Sequence, residues 1–311
     1  MGPFSFLLDG SVLCRARPVP VRSCRELALT DSEQSPTRLV LWDPVSRAEV
    51  PLPCLPAAAQ VFLSGDPLAS AGSGWTAFAG QKASPSRVAQ RLFSWRPGDA
   101  AWSPLQEGGA VCRIDGAAFH HGRAYLIDAS WRLRVYDLGA GAGAGASPPR
   151  LVRSTSLRAS AVKVFNSNGR SWLQTLRTLH AVPCGGELLL VLTYGGHRPA
   201  PAEVYRADWE AEPLVEIGER VRDLGEHSLF VGRGDAFALS AREFPAVRRN
   251  RVYYVEQDNF WREHWWVTVF DLGTNPLPRG SKGGRQRVLA GLLVVLSQAA
   301  VVEGAVSLNS V

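Results

Sequence analysis

Cysteine is scarce in this 311-residue chain, and its placement excludes the common cysteine-based sites. No two cysteines form a C-x-x-C pair, so neither a zinc knuckle nor a dithiol redox couple is indicated. The sequence also lacks an N-x-[ST] glycosylation acceptor. These absences predict a reducing setting, the cytosol or the nucleus. The five cysteines stand at positions 14, 24, 54, 112 and 184.

Signatures of hydrolytic and nucleotide chemistry are missing as well. There is no G-x-S-x-G nucleophile elbow and no H-E-x-x-H or H-x-x-E-H zinc helix. The glycine–alanine run at 139–146 alternates strictly, so it cannot supply G-x-G-x-x-G, and its composition predicts a flexible surface loop. We therefore expect no catalytic, cofactor-binding or metal-binding residues, and no enzymatic activity.

No hydrophobic run reaches the ~20 residues of a transmembrane helix. The longest, 288–302, has fifteen residues interrupted by Ser297 and Gln298, and it follows the basic stretch 279–287. The positive flank suits a tail anchor in a membrane, whereas the short length suits a buried apolar segment. Both interpretations stay open. The amino terminus lacks the basic region of a secretory signal.

Positive charge is in modest excess and is dispersed along the chain. The formal net charge is +6 and the pI is near 9.3, and the arginines are scattered except for Arg248, Arg249 and Arg251. A nucleic-acid-binding protein concentrates such charge on one face or carries a known module. We therefore expect no nucleic-acid partner.

What the chain does contain is typical of sheets. Apolar residues make up 46%, with 10 Trp and 12 Phe but a single Met, and there are 30 glycines and 21 prolines. Aromatic and β-branched side chains favour strands, while glycine and proline mark turns. The run ELLLVLTY (187–194) is continuous and apolar, as in a strand buried on both faces. The composition predicts an all-β protein.

A strand–turn–strand unit recurs along the chain. Near one strand end it carries an aromatic residue, which in the clearest copies is followed by Asp. Copies are clearest in VLWDPV (40–45), RVYDLG (134–139) and TVFDLG (268–273). The aromatic positions Trp42, Trp95, Tyr136, Tyr205 and Phe270 lie 41 to 69 residues apart. Blades of β-propellers repeat every ~40–50 residues. The pattern predicts a β-propeller of four-stranded antiparallel blades, five to seven in number.

Five aspartates are the candidates for a glycosidase-like pair of carboxylates. Three of them occupy equivalent turn positions, which predicts a structural role in which the carboxylate accepts backbone N–H groups. The other two give no sequence reason to converge. The first three are Asp43, Asp137 and Asp271, and the others are Asp128 and Asp235.

The one histidine pair, His120–His121, precedes the turn at Gly122. Neighbouring side chains on a strand point to opposite faces, so the two rings are not expected to bind one metal ion.

The stretch 227–258 combines an Arg-Gly-Asp (233–235), a capping-box pattern at 240–243 limited by Pro245, and the pair Tyr253–Tyr254. We interpret it as strand, glycine turn, strand, capped turn and strand, with one tyrosine facing the core. This makes the stretch a structural part of the fold.

The same stretch, extended to 224–258, resembles plant KIB-type β-propellers, a family found behind an F-box. RLVLWDPVSRAEVPLPCLP (38–56), VFLSGDPLAS (61–70), FHHGRAYLIDASWRLRVYDL (119–138) and WVTVFDLG (266–273) agree with it in order. The resemblance implies a non-enzymatic propeller that holds another protein, which in F-box members is the substrate of a ubiquitin ligase. It brings no catalytic residues.

The predicted organisation has three parts: an irregular segment (1–37), the propeller (38–273) and a basic linker with an apolar, non-propeller tail (274–311). Residues 1–37 show no F-box, so docking to a ligase adaptor is not expected. The leading function is protein interaction with an unidentified partner. Two alternatives remain, a propeller-fold hydrolase and an interaction domain tethered to a membrane through its tail.

Overall fold

The architecture was obtained as a computed structural model, in which the chain forms two compact units, Met1–Ser156 and Leu157–Val311. Both units consist almost wholly of small sheets. The structure describes residues 4–7, 13–19, 21–22, 27–30, 36–43, 46–68, 74–82, 89–106, 111–139, 147–166, 176–194, 202–232, 236–245, 247–257, 265–273 and 285–288.

The described residues of the first unit form three sheets. The first sheet, in the order β1-β2-β4-β5-β6, is antiparallel throughout and consists of β1 (Phe4–Leu7), β2 (Leu13–Val19), β4 (Leu27–Thr30), β5 (Leu39–Trp42) and β6 (Glu49–Leu52). The second has the order β10-β9-β8-β7-β3, with β11 also paired to β9, and consists of β3 (Val21–Arg22), β7 (Ala58–Leu63), β8 (Ala77–Lys82), β9 (Ala89–Trp95), β10 (Ser103–Pro104) and β11 (Val111–Cys112). The third is an antiparallel meander of β12 (Ile114–His120), β13 (Arg123–Asp128), β14 (Arg132–Asp137) and β15 (Arg150–Ser156).

In its described residues, the second unit contains one helix and two sheets. The helix α1 (Leu157–Asn166) precedes the fourth sheet, an antiparallel meander of β16 (Leu176–Cys184), β17 (Glu187–Tyr194), β18 (Ala202–Asp208) and β19 (Glu216–Arg220). The fifth sheet has the order β21-β20-β22-β23-β24 and consists of β20 (His227–Val231), β21 (Ala236–Ser240), β22 (Arg251–Gln257), β23 (Trp265–Asp271) and β24 (Arg285–Val288).

The predicted all-β propeller fold is confirmed, with five blade-like sheets among the described residues. Two sheets have four strands, as expected, whereas the first, second and fifth have more. The sequence predicts an irregular segment at 1–37, but β1 to β4 lie there, and β24 lies in the predicted tail. These strands are set by pairing with distant strands, for example Leu27 with Trp42, and such pairing leaves no local pattern.

Each unit buries aliphatic and aromatic side chains between its sheets. In the first unit one cluster joins the first and second sheets around Leu41, Val61 and Trp75, and another joins the second and third around Phe78 and Tyr136. In the second unit the cluster joins the fourth and fifth sheets. It includes Val182, Leu189, Val191, Val204, Leu229, Val252 and Tyr254. Small stacked blades require this arrangement, because the apolar face of each sheet is shielded from water by the face of its neighbour.

The fifth sheet departs from a simple meander. Strand β21 pairs antiparallel to β20 on one side, while β22 pairs parallel to β20 on the other, Leu229 against Val252. The chain must therefore pass from β21 across the end of β20 through residues 241–250, which we call the crossover loop.

Candidate functional site

Two of the predicted turn aspartates share one hydrogen-bonding motif. The carboxylates of Asp137 and Asp271 each accept the backbone N–H two residues further on, from Gly139 at 2.8 Å and Gly273 at 2.9 Å. A third copy at Asp223, which lacks the preceding aromatic, does the same with Gly225 at 2.9 Å. The predicted turn role is confirmed at Asp137 and Asp271, and their carboxylates are engaged by their own turns.

Asp128 lies in the hairpin between β13 and β14 and is the most constrained of these carboxylates. It accepts the hydroxyl and backbone N–H of Ser130 at 2.5 and 2.9 Å and the backbone N–H of Arg132 at 3.1 Å. The guanidinium of Arg134 donates at 2.7 Å, and both side chains are almost fully buried, with 1% and 0% exposed. Burial acts to raise the pKa of Asp128, but these hydrogen bonds outweigh it and the pKa is lowered.

Asp43 closes a hairpin in a similar way. Its carboxylate accepts the Ser46 hydroxyl at 2.6 Å, between β5 and β6, as expected of a turn residue. The fifth candidate, Asp235, lies outside the described residues together with the rest of the Arg-Gly-Asp. The four described candidates thus each serve the turn in which they stand.

The histidine pair lies at the turn between β12 and β13, and the prediction that its rings face opposite ways is wrong. His121 has a φ of 46°, so the alternation of the strand ends there, and the two rings stack with centroids 3.8 Å apart. Burial, and then the charge of His121, lower the pKa of His120. Stacked rings direct their nitrogens along parallel planes, so the lone pairs do not converge on one ion.

A buried polar cluster in the fourth sheet was not anticipated. One oxygen of Glu203 accepts the hydroxyls of Tyr194 at 2.7 Å and Tyr205 at 2.9 Å, and the other lies 3.2 Å from the guanidinium of Arg220. Burial, and then the charge of Glu203, raise the pKa of Tyr194. The Tyr194 phenol therefore stays protonated as a donor, and the cluster ties three strands together. Its members are spread over 27 positions, so no spacing motif marks them.

Arg96 links the second sheet to the loop between β14 and β15 of the third sheet. Its guanidinium, in a residue only 4% exposed, donates to the carbonyls of Leu138 and Ser147, the latter at 2.9 Å, and to the hydroxyl of Thr76 at 3.3 Å. Leu138 and Ser147 flank the glycine–alanine run. One buried side chain therefore fixes both ends of that loop.

Asn250 anchors the crossover loop. Its side-chain oxygen accepts the Leu224 N–H at 3.0 Å, and its amide donates to the Arg222 carbonyl at 3.1 Å. Its own backbone N–H donates to the His227 carbonyl at 2.8 Å, with φ at 59°, a left-handed conformation that asparagine tolerates. The predicted capped turn also lies in this loop, where the Phe244 N–H donates to the Ser240 carbonyl at 2.9 Å.

Among the described side chains of the fifth sheet, three aromatic rings cross the face that lies opposite its core. Phe230 stacks on Phe237 at 5.2 Å and on Tyr253 at 4.6 Å, with interplanar angles of 6° and 3°. We call these three residues the aromatic row. Each is half-buried, whereas Tyr254 on the other face is buried in the core, which confirms that the two tyrosines face opposite ways.

One open groove of about 380 Å³ runs along β5 and β6. An exposed ion pair between Arg38 and Glu49 lies across it, beside the free thiol of Cys54. The groove is lined by Thr37, Arg38, Leu39, Val40, Glu49, Pro51, Leu52 and Cys54.

Within the described part of the chain, no group of three or more His, Cys, Asp or Glu side chains could hold a metal ion. Nor does any helix in that part have the length and apolar character needed to cross a bilayer.

The sequence model of the KIB1-4 β-propeller family matches residues 14–274. The chain belongs to the KIB1-4 β-propeller family. The match begins well before residue 38, so the family domain takes in β2 to β4, which the sequence had left outside the propeller. No curated protein matches the chain.

Solved structures resemble this KIB1-4 propeller only at the level of the fold. BBS1N in complex with ARL6DN aligns with a TM-score of 0.39 and 10% identity, covering 91% of this chain and 69% of that one. YCF48 bound to D1 peptide aligns with a TM-score of 0.35 and 10% identity, covering 86% of this chain and 64% of that one. The N-terminal domain of Nup159 aligns with a TM-score of 0.33 and 6% identity, covering 79% of this chain and 55% of that one. Likenesses this distant carry no argument about function.

The KIB1-4 propeller is expected to protect one cysteine from alkylation. Cys184 is buried, and burial, followed by the charge of Glu187, raises the pKa of its thiol to about 11. Because the thiolate is the reactive form, iodoacetamide at pH 8 should leave Cys184 unmodified in the folded chain and modify the exposed Cys54. Mass spectrometry of peptides labelled with and without urea checks this. Labelling of Cys184 at the rate of Cys54 without urea would contradict it.

Proposed function

We propose that this KIB1-4 propeller is a recognition domain that binds another protein and carries out no chemistry of its own. The observation that supports this most is the family match over 14–274, since the resemblance to F-box-associated propellers implies the holding of a protein target. We further propose that the bound protein is of the kind that F-box-associated propellers present to a ubiquitin ligase, in the cytosol or nucleus of a plant cell. Residues 1–37 show no F-box, so this role would not depend on adaptor docking through that segment.

The polar groups support a recognition role over a hydrolytic one. A glycosidase of the common kind needs two free carboxyl groups ~5–10 Å apart, one of them able to exchange a proton. Here Asp128 is held by Arg134 and by its own turn, and Asp137 and Asp271 are each held by a glycine N–H. These contacts stabilise turns and favour the ionised carboxylate of Asp128.

Affinity capture with the tagged full chain is the test. We expect quantitative mass spectrometry of plant-cell extracts to recover one or a few proteins in constant ratio to the bait, and removal of the bait gene to lengthen their half-lives. A bait unfolded by heat before the capture is the matched control, because chaperones bind both baits and a true partner binds only the native one. A folded bait that captures nothing specific would contradict the binding role. A partner whose half-life and ubiquitination do not change would contradict only the ligase role.

A further inference from the structure

The two faces of the fifth sheet differ in how they are covered. Leu229, Val231, Val252 and Tyr254 on one face are buried against the fourth sheet. The other face carries the aromatic row, whose three rings keep part of their surface accessible. Val269 continues the row on β23, because it pairs with Tyr253, and it is also half-buried. Exposing an aromatic strip of this kind to water is unfavourable, so the strip favours contact with an apolar partner surface.

The same sheet ends next to the most apolar segment of the chain. Its edge strand β24 pairs with β23, with Val288 opposite Trp265. Residues 289–302 follow directly, LAGLLVVLSQAAVV, without a charged residue or a proline. Uncharged, β-prone runs of this kind aggregate when left in water. The aromatic row and the start of this apolar segment therefore belong to the same sheet.

The segment is long enough to reach the row. Four strand spacings separate β24 from β21, which is ~19 Å at ~4.8 Å per spacing. Fourteen extended residues span up to ~46–50 Å, more than twice that distance. We propose that residues 289–302 fold back over the aromatic row and cover it, so that the apolar tail is an intramolecular part of the last blade. This contact does not depend on which protein the propeller holds.

Photo-crosslinking in the full chain tests this contact. The photoreactive residue p-benzoylphenylalanine, introduced at Phe237, keeps an aromatic ring in the row, so the fold should persist and circular dichroism can check it. After irradiation, mass spectrometry should find crosslinks from position 237 to residues 289–302 of the same molecule. The same residue introduced at Glu216, an exposed position of β19 in the fourth sheet, is the matched control. It should give no crosslink to the tail, because the fourth sheet packs on the opposite face of the fifth.

Each other result overturns the proposal. Crosslinks from position 237 to the tail of a second molecule would make the row a dimer interface. Crosslinks that avoid 289–302, or that match the Glu216 control, would show that the tail lies elsewhere. If the full chain, but not a chain ending at Val288, sediments with phosphatidylcholine–phosphatidylserine vesicles and the crosslink is absent, the tail is a membrane anchor.

A second measurement does not depend on the photoreactive residue. A chain ending at Val288 retains β24 and should bind the dye ANS several-fold more strongly than the full chain, because the row is then uncovered. Adding Phe237→Ser to the shortened chain should remove most of that gain, whereas adding Val152→Ser should not. If the shortened chain binds no more ANS than the full chain, the result would count against the proposal that the tail covers the aromatic row.

Discussion

Replacing Arg134 with methionine is expected to lower the free energy of unfolding by about 3–5 kcal/mol, because the charge of Asp128 is then left buried without its cation. The two side chains are 0% and 1% exposed and 2.7 Å apart. Methionine keeps most of the volume and the apolar stem, so the loss reports the missing charge and hydrogen bonds more than a cavity. Urea denaturation followed by circular dichroism measures it.

The exposed ion pair between Arg113 and Asp115 is the control for this prediction. Its side chains are 58% and 28% exposed, at the same 2.7 Å separation. Arg113→Met should cost no more than ~1 kcal/mol, because solvent screens such a pair. Equal losses in the two variants would show that burial of the Arg134 pair does not matter.

Lowering the pH should reduce the loss in the free energy of unfolding that Arg134→Met causes. The pKa of Asp128 is lowered in the folded chain below the value of 3.8 that it has when unperturbed. A carboxyl group whose pKa is lower in the folded chain than in the unfolded chain stabilises the fold at pH values above its unfolded pKa. This stabilisation is lost as the pH falls through the folded pKa. The gap between the parent chain and the variant should therefore narrow below pH 3.8 and stay constant from pH 5 to 8.

Replacing Asn250 with alanine is expected to cost about 2–4 kcal/mol, since two hydrogen bonds of about 1 kcal/mol each are lost and alanine resists a left-handed backbone. The side chain bonds to Leu224 and Arg222, so the crossover loop would be released from the segment that precedes β20. Thermal unfolding measures the loss of stability. Hydrogen exchange at the backbone amides of the loop should rise at the same time.

Glycine at the same position separates the two causes. Asn250→Gly keeps the φ of 59° without strain and loses only the side-chain hydrogen bonds, so it should cost about half as much as alanine. If glycine is as costly as alanine, the left-handed backbone contributes nothing and the hydrogen bonds account for the whole effect.

Local chemistry in the sequence predicted the hairpins, because their determinants lie within a few residues. The turns at Asp43, Asp137 and Asp271 and the buried strand β17 all follow from neighbouring residues, and all are confirmed. The same logic failed at His121, where a non-glycine residue adopts a positive φ that no local pattern announces.

Features that depend on distant residues escaped the sequence analysis. Strand β22 leaves the expected meander and pairs parallel to β20, because the crossover loop is fixed by Asn250 to a segment more than twenty residues earlier. Helix α1 was not expected, since its apolar stripe is short and only Leu157, Ser160 and Ala161 are buried among its described side chains. The Glu203 cluster draws on three strands. Each of these required knowledge of which strands are neighbours.

The bonds that Arg96 makes to Leu138 and Ser147 have a practical consequence. With both ends held by one buried guanidinium, added residues between them cost mainly loop-closure entropy, ~0.6 kcal/mol for each doubling of length. A fluorescent reporter grafted at this position would therefore leave the neighbouring sheets intact, and the amino and carboxyl termini would remain free for the handles that isolate the chain from cells.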